Sequence, residues 1–483
     1  MPPVSAAPAA PALSPAAPPP PRPVDDPAPR EPATVRLSEV LAALSRALDL
    51  TEGQAPGHTV RSCLIGMRMA GELGLGDADR SALYYALLLK DAGCSSNAAR
   101  MSALFGADDR AVKPRMKLVD WHRPAALALE TWRSAGRRVG GTHASLGERL
   151  RRFAELASTP DVTRDLVQVR CDRGAAIALG LGFPQATADA IRSLDEHWSG
   201  AGYPDGRRGD RIPLLARIAN LAQCVESVHA AHGVDAALRV ARARRGRWFD
   251  PILVDRLVEW RRDRAWWDAL AGASHVDAAV VAAEPAGPAD RALRVDDARL
   301  DEVARAFADI IDAKSPFTYH HSTNVAALAA GAARAAGLGP AAESMLHRAA
   351  LLHDVGKLGV SSRILDKPGP LTPDERREVE RHPVHSWDIL SVVTAFHPFA
   401  WTAALHHERL NGSGYPWRLT AEQLDLPARI LAVADVYEAL AADRPYRAGL
   451  GPEHALGIVR GEVRAGRLCA EALDGLVTFL EQR

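Results

Sequence analysis

The sequence predicts an all-α fold made of two tandem helical domains related by internal duplication. After residue 34 the chain is dominated by Ala, Leu, Arg and Glu, with apolar residues at three- and four-residue spacing, as in 37–50 and 300–313. No alternation of β-branched and polar residues of convincing length interrupts this pattern. The third observation is a repeat, because separate segments of the chain match earlier segments at constant offsets.

The repeat is visible in two parts of the chain. A shift of 263 residues places LYYALLLKDAG (83–93) on LHRAALLHDVG (346–356). A shift of 212 places Gly-Tyr-Pro at 202–204 on Gly-Tyr-Pro at 414–416. The offsets differ by 51 residues, so the first copy carries an insertion, which fits residues 97–150.

The repeat and the composition together predict the domain organisation. The first copy spans residues 35–276 and the second copy spans 294–483, joined by a linker rich in Ala, Pro, Gly and acidic residues at 277–293. Residues 1–34 contain 13 prolines among many alanines. This composition predicts a disordered tail that favours polyproline II.

Composition also excludes several classes of function. The 483 residues are 47% hydrophobic and 24% charged, with a formal net charge of zero, which argues against a binder of nucleic acid polymers or anionic membranes. No apolar run approaches the length of about 18 residues that spans a bilayer. The five cysteines form no CxxC pair, which is typical of buried thiols in a reducing cytoplasm.

Seven side chains around a His-Asp pair in the second copy have the chemistry of metal ligands. His353 shares a helical face with Leu346 and Ala350, so it should point into an apolar interior. Imidazoles and carboxylates that converge inside a helical bundle suit divalent transition metals, and the two oxygens of Asp354 could bridge two ions. The predicted ligands are His321, His353, Asp354, His385, His406, His407 and Asp435.

Other histidines of the second copy are interpreted as bystanders, since a single histidine on an apolar face is more often a core residue than a ligand. His321 is preferred to its neighbour His320 because the first copy retains one histidine there, His58. The predicted bystanders are His347, His382, His397 and His454.

Five motifs occur in a fixed order: HS (321–322), HDVGK (353–357), HPVH (382–385), HHERLNGSGYP (406–416) and ADVYEALAADRPYR (434–447). Together they resemble the HD-GYP domain, a subgroup of the HD metal phosphohydrolases, over roughly residues 300–483. The resemblance implies an HD-type helical core in both copies and a two-metal site, usually iron or manganese, in the second. It also implies hydrolysis of cyclic di-GMP to the linear dinucleotide or to GMP.

The resemblance assigns further roles residue by residue. Asp354 would bridge the metals and Lys357 would contact the scissile phosphate, while Arg444 and Arg447 would hold a phosphate. The loop Gly414-Tyr415-Pro416 would border the substrate and contact diguanylate cyclases; it could equally be a tight turn only. Members with a third metal carry a glutamate four residues before the first histidine. Phe317 stands there, so two metals are expected.

The first copy reads as a broken site under the same alignment. His58 and Asp91 remain, but Lys90 replaces His353 and brings fixed charge without a lone pair. We therefore predict no metal in this copy, with Lys90 paired to Asp91 or Asp195. The other replacements at aligned positions are Cys94 for Lys357, Arg173 for His385, Leu194 for His406, Asp195 for His407, Gln223 for Asp435, and His232 and Asp235 for the two arginines.

The leading prediction is therefore a cytoplasmic, metal-dependent cyclic di-GMP phosphodiesterase with a non-catalytic first copy that regulates or docks. Two alternatives stay open. The HD core supports other phosphoester substrates, so another nucleotide could be hydrolysed. A cyclic-dinucleotide-binding effector would also fit the broken first copy, although a pure receptor has no use for seven metal ligands.

Overall fold

The computed structural model describes residues 36–120, 124–135, 145–158, 162–272, 278–285, 296–315, 320–443 and 448–482. Within these ranges the protein is helical with no β-strand, which confirms the all-α prediction. None of the helices there is long and apolar enough to cross a membrane. The predicted tail and the positions of Phe317, Arg444 and Arg447 lie outside the described residues.

Twelve α-helices are described in the first copy. Its α10 is interrupted at Gly233, whose φ of 78° is not helical. The helices are α1 (Leu37–Thr51), α2 (His58–Glu72), α3 (Asp77–Leu89), α4 (Ala98–Phe105), α5 (Asp109–Leu118), α6 (Pro124–Ser134), α7 (Leu146–Ser158), α8 (Val162–Gly180), α9 (Gln185–Arg192), α10 (Leu214–Arg244), α11 (Pro251–Glu259) and α12 (Arg264–Gly272).

A short helix, α13 (Ala278–Ala283), lies in the segment predicted as a linker. Its Val280 is fully buried, and the Val280 carbonyl accepts a hydrogen bond of 3.0 Å from Tyr84 Oη. Glu284 accepts hydrogen bonds from Ser38 Oγ and Tyr85 Oη. This part of the segment is therefore packed on the first copy, while residues 286–293 lie outside the described ranges.

The second copy follows the same helix order. Among the described residues, its segment between the His-Asp turn and α19 contains only α17 and α18, so it is much shorter than the matching segment of the first copy. Its described helices are α14 (Asp297–Asp312), α15 (His321–Ala335), α16 (Pro340–Leu352), α17 (Ser362–Leu365), α18 (Pro373–Val379), α19 (His382–Leu390), α20 (His397–Ala404), α21 (Leu426–Ala441), α22 (Pro452–Arg464) and α23 (Ala470–Glu481).

The duplication extends to individual hydrogen bonds. Asp49 accepts bonds from the backbone and hydroxyl of Thr59, and Asp312 accepts the same pair from Ser322. These aspartates lie 263 residues apart, as the repeat requires. Such contacts hold the entry to α2 and α15, and they position the histidine that begins each helix.

The two copies share one continuous hydrophobic core. Helix α1 packs against α19 and the turn Val355–Gly359, and Arg46 donates a 2.8 Å hydrogen bond to the Asp388 carbonyl. The inserted α5 also reaches the second copy, where Asp109 accepts hydrogen bonds of 3.0 Å from Lys314 Nζ and from the Ser362 backbone. The first copy therefore forms packing contacts and hydrogen bonds with the segment that includes and follows the HDVGK motif.

Candidate metal centre

Several helix ends and the middle of α21 meet in the second copy at a buried group of imidazoles and carboxylates. One histidine begins α15, the His-Asp pair follows the last turn of α16, and Asp435 lies within α21. Helix ends bring side chains from separate elements to one point, which a continuous helix face cannot do. This metal-ligand cluster consists of His321, His353, Asp354, His382, His406, His407 and Asp435.

Asp354 lies at the centre of the cluster and faces two groups of imidazoles. Its Oδ1 is 3.3 Å from His382 Nε2 and 3.5 Å from His406 Nε2. Its Oδ2 is 3.3 Å from His353 Nε2 and 3.6 Å from His321 Nε2. Each carboxylate oxygen therefore has its own pair of ring nitrogens, which is the arrangement that a bridging carboxylate requires.

The Nδ1 atoms of four cluster histidines form hydrogen bonds with other groups of the protein. His353 Nδ1, His382 Nδ1 and His406 Nδ1 donate to backbone carbonyls three residues earlier at 2.7, 2.7 and 2.8 Å. These bonds leave the Nε2 lone pairs directed at the cluster, as metal-ligating histidines require. His321 Nδ1 is held in the same way by Glu438 Oε2 at 2.5 Å, and Glu438 accepts a second bond from Asn324.

Two imidazoles and the central carboxylate have protonation states that suit a metal, whereas for His321 burial would lower the pKa but Asp435 and Glu438 outweigh it and raise the pKa to about 10. Burial lowers the pKa of His406 to about 4 and lowers that of His382, so both rings are neutral near pH 7. Burial alone would raise the pKa of Asp354, but His353 and Lys357 outweigh it and hold the pKa well below its usual range. Neutral imidazoles and ionised carboxylates are the donor forms that bind a metal.

Unsatisfied atoms point to the same fit. His353 Nε2 and Asp354 Oδ1 are buried without a hydrogen-bond partner among the described residues. Leaving such groups unpaired costs about 1–3 kcal/mol each, more when charged. A divalent ion held by nitrogen and oxygen donors would satisfy both atoms, so the residues present fit a metal site.

The structure brings His382 into the cluster, whereas the sequence prediction chose His385 as the ligand and His382 as a bystander. His382 is fully buried, and its Nε2 lies 3.0 Å from His406 Nε2. His385 is not grouped with these donors, and a Cβ built on Gly359 would lie 3.5 Å from its ring and 3.4 Å from Leu50 of the first copy. Burial and nearby arginines lower the pKa of His385 to about 4.

A signal for this choice existed in the first copy. Under the 212-residue shift His382 aligns with Arg170, which forms an ion pair with Asp195, the counterpart of His407. His385 aligns with Arg173, which is exposed. Arg170, and not Arg173, therefore occupies the place of a ligand in the first copy.

The remaining predicted site residues border the cluster. Lys357 Nζ contacts Asp354 Oδ2 with a side chain that is 19% exposed, so it stands between the cluster and solvent. Tyr415 stacks on His407 with ring centroids 4.7 Å apart. A Cβ on Gly414 would lie 2.5 Å from the Arg409 backbone nitrogen, so glycine permits this close approach.

The counterpart cluster in the first copy is filled by cations. Lys90 Nζ contacts Asp91 Oδ2 and lies 3.1 Å from His58 Nε2, with a side chain that is fully buried. Of the two partners predicted for Lys90, the structure brings Asp91 to it, while Asp195 pairs with Arg170. A lysine nitrogen thus lies between the histidine and the aspartate that remain.

Comparison with known proteins agrees with this architecture. A family model described as HD domain matches residues 125–253 and 305–468. The chain is 41% identical over 427 residues to 3'3'-cGAMP-specific phosphodiesterase 3 of Vibrio cholerae, covering 88% of this chain and 91% of that protein. A crystal structure of a cyclic GMP-AMP specific phosphodiesterase of V. cholerae (V-cGAP3) is similar with a TM-score of 0.62 and 36% identity, covering 93% and 98% of the two chains.

A shorter match involves the cyclic di-GMP phosphodiesterase PA4108 of Pseudomonas aeruginosa. It is 41% identical over 141 residues, covering 29% of this chain and 34% of that protein. The match to a family model in both copies, the long relative and the ordered motifs all lead to one assignment. This chain belongs to the HD domain family, as an HD-GYP domain protein.

Proposed function

We propose that the protein is a metal-dependent phosphodiesterase that hydrolyses a cyclic dinucleotide in its second copy, with 3'3'-cGAMP as the preferred substrate. The observation that carries the proposal is Asp354, whose two oxygens face separate sets of imidazoles. The proposed ligands are the seven residues of the metal-ligand cluster, and iron or manganese suits their nitrogen and oxygen donors.

When bound, two divalent ions would supply Lewis-acid charge and would help a water to lose its proton near neutral pH, so that it can attack phosphorus. The chain supplies the positioning. Glu438 and backbone carbonyls hold the imidazoles in one tautomer. Asp354 contacts both sets of imidazoles and so fixes their positions relative to each other. Lys357, at the solvent edge, would neutralise charge that develops on the phosphate oxygens.

The substrate choice rests on the relatives. The protein that matches 88% of this chain is named as specific for 3'3'-cGAMP, whereas the cyclic di-GMP phosphodiesterase PA4108 matches 29%. The long match includes the first copy, so it compares the whole architecture. Cyclic di-GMP, expected from the motifs, is the second candidate.

Turnover assays separate these candidates. Metal-replete protein is incubated with 3'3'-cGAMP, cyclic di-GMP and a nucleoside triphosphate, and the products are separated by chromatography. We expect kcat/KM to be highest for 3'3'-cGAMP. Faster turnover of cyclic di-GMP would reverse the preference, turnover of the triphosphate alone would place the enzyme among other phosphohydrolases, and binding without turnover would identify an effector.

Metal content tests the ligand assignment. We expect about two metals per chain in the full-length protein and a loss of at least one in His382→Ala, because its Nε2 faces Asp354. His385→Ala is the matched control three residues away, and it should retain both metals. Elemental analysis of the purified variants measures the ratio. Loss of metal in His385→Ala with none in His382→Ala would contradict the assignment, and about four metals per chain would show that the first copy binds them too.

The contact between the Gly414-Tyr415-Pro416 loop and diguanylate cyclases stays a prediction. The loop is also held from within, since Glu408 accepts bonds from the backbone of Trp417 and Leu419. The stacking of Tyr415 on His407 supports a role for the loop at the border of the metal-ligand cluster.

A further inference from the structure

A cavity of about 310 Å³ lies in the first copy at the place that corresponds to the metal centre of the second. Three of its lining residues, Arg170, Asp195 and Gln223, align with His382, His407 and Asp435. The inserted helices α4 to α7 also contribute lining residues. We call this space the first-copy cavity.

The cations that line the cavity all contact carboxylates. Lys117 Nζ is 2.7 Å from Glu52 and 3.3 Å from Asp91, and Lys113 Nζ is 3.4 Å from Glu52. Arg170 pairs with Asp195. Each cation in the lining contacts at least one carboxylate, with Lys113 and Lys117 sharing Glu52, so none of these cations is bare toward a phosphate.

Two buried amide oxygens in the lining do lack partners. Gln223 is 6% exposed and Asn97 is 5% exposed, and Gln223 Oε1 and Asn97 Oδ1 have no hydrogen-bond partner among the described residues. The Asn97 amide nitrogen donates to the Leu166 carbonyl at 3.1 Å, which sets the orientation of its oxygen. Unpaired buried acceptors cost about 1–3 kcal/mol each, so they favour a ligand with N–H donors.

Much of the rest of the lining is apolar and aromatic, and its further polar residues are Thr131, Thr163, His197 and Asn220. Met101, Phe105, Met116, Phe153 and Trp248 line the cavity. Aromatic rings and polarisable thioethers favour flat, aromatic ligands. The volume lies at the lower end of the range for small-molecule sites, about 300–1,000 Å³, which suits a ligand smaller than a dinucleotide.

We propose that the first-copy cavity binds a neutral purine, as the free base or its nucleoside, with its N–H groups donated to Gln223 and Asn97. Guanine and adenine both carry exocyclic amino donors on an aromatic ring. The cavity adjoins the second copy through α5. This helix lines the cavity with Met116 and contacts Lys314 and Ser362 with Asp109.

Titration calorimetry on the full-length protein tests the proposal with guanine, guanosine, adenine and adenosine as probes. Caffeine is the matched control ligand, since it keeps the purine rings but has no N–H donor. We expect one purine or nucleoside to bind per chain and caffeine to bind at least about tenfold more weakly, as loss of one to two hydrogen bonds predicts. Preference between base and nucleoside shows which form the cavity accepts.

Variants locate the site. Gln223→Leu and Asn97→Leu should each weaken binding about tenfold, whereas Gln185→Leu, at an exposed position, should not. Because the Gln223 oxygen has no hydrogen-bond partner among the described residues, Gln223→Leu should not lower Tm, which separates lost binding from lost folding. No binding of any purine up to ~1 mM, binding of caffeine equal to guanosine, or full binding by both variants would overturn the proposal.

Discussion

Asp354→Ala is expected to abolish phosphodiester hydrolysis and to remove the bound metal. The carboxylate is fully buried, and its two oxygens face both sets of imidazoles in the metal-ligand cluster. Metal charge contributes several kcal/mol to such reactions, so we expect kcat to fall at least about a thousandfold. Elemental analysis and turnover of 3'3'-cGAMP measure the two effects on the same preparation.

A matched control guards against a general effect of losing an aspartate. Asp374 has a side chain that is 88% exposed and lies on α18, so Asp374→Ala should keep both metal and activity. Circular dichroism of Asp354→Ala should show the native helix content, because Lys357 can turn its ammonium to solvent. Near-normal hydrolysis by folded Asp354→Ala would refute the site assignment.

Asp109→Ala is expected to destabilise the whole chain by about 3–5 kcal/mol, the cost of removing one partner of a buried ion pair. Asp109 is fully buried in α5, and Lys314, its partner at 3.0 Å, is 1% exposed. Burial would raise the pKa of Asp109, but Lys314 and Lys113 outweigh it and lower the pKa. Removing the carboxylate leaves the Lys314 ammonium buried between the copies.

Urea unfolding followed by circular dichroism measures this effect. Asp165→Ala is the control, since its ion pair with Arg100 is about half exposed and should contribute less than about 1 kcal/mol. The double variant Asp109→Leu with Lys314→Met should recover much of the loss, because apolar residues can replace a buried pair at little cost. A change in Asp109→Ala no larger than that in Asp165→Ala would show that the pair does not hold the copies together.

Much of the architecture could be predicted from local pattern. Helices follow from apolar spacing, and the repeat follows from two offsets that each hold along a segment. The cluster residues could be found because the first copy acts as an internal control. LYYALLLKDAG (83–93) keeps the apolar frame of LHRAALLHDVG (346–356) and loses only the histidine that metal chemistry requires.

The choice between His382 and His385 could not be made in this way. The two residues lie three positions apart on α19, so helical periodicity places them on nearly the same face. His382, at the start of α19, lies beside Asp354. His385 lies instead near Gly359, where Leu50 of the first copy also packs. Both contacts depend on chain segments distant in sequence.

By itself, the sequence determined the helical class and the duplication, and it predicted six of the seven residues that the structure brings together in the metal-ligand cluster. Local spacing and residue chemistry are enough for these, because they follow from one helix face or one aligned pair. The tertiary structure alone decided that His382 completes the cluster, that Lys90 pairs with Asp91, and that Asp109 bridges to Lys314. The ring direction, the choice of ion-pair partner and the long-range bridge are set by packing between helices, which no local pattern records.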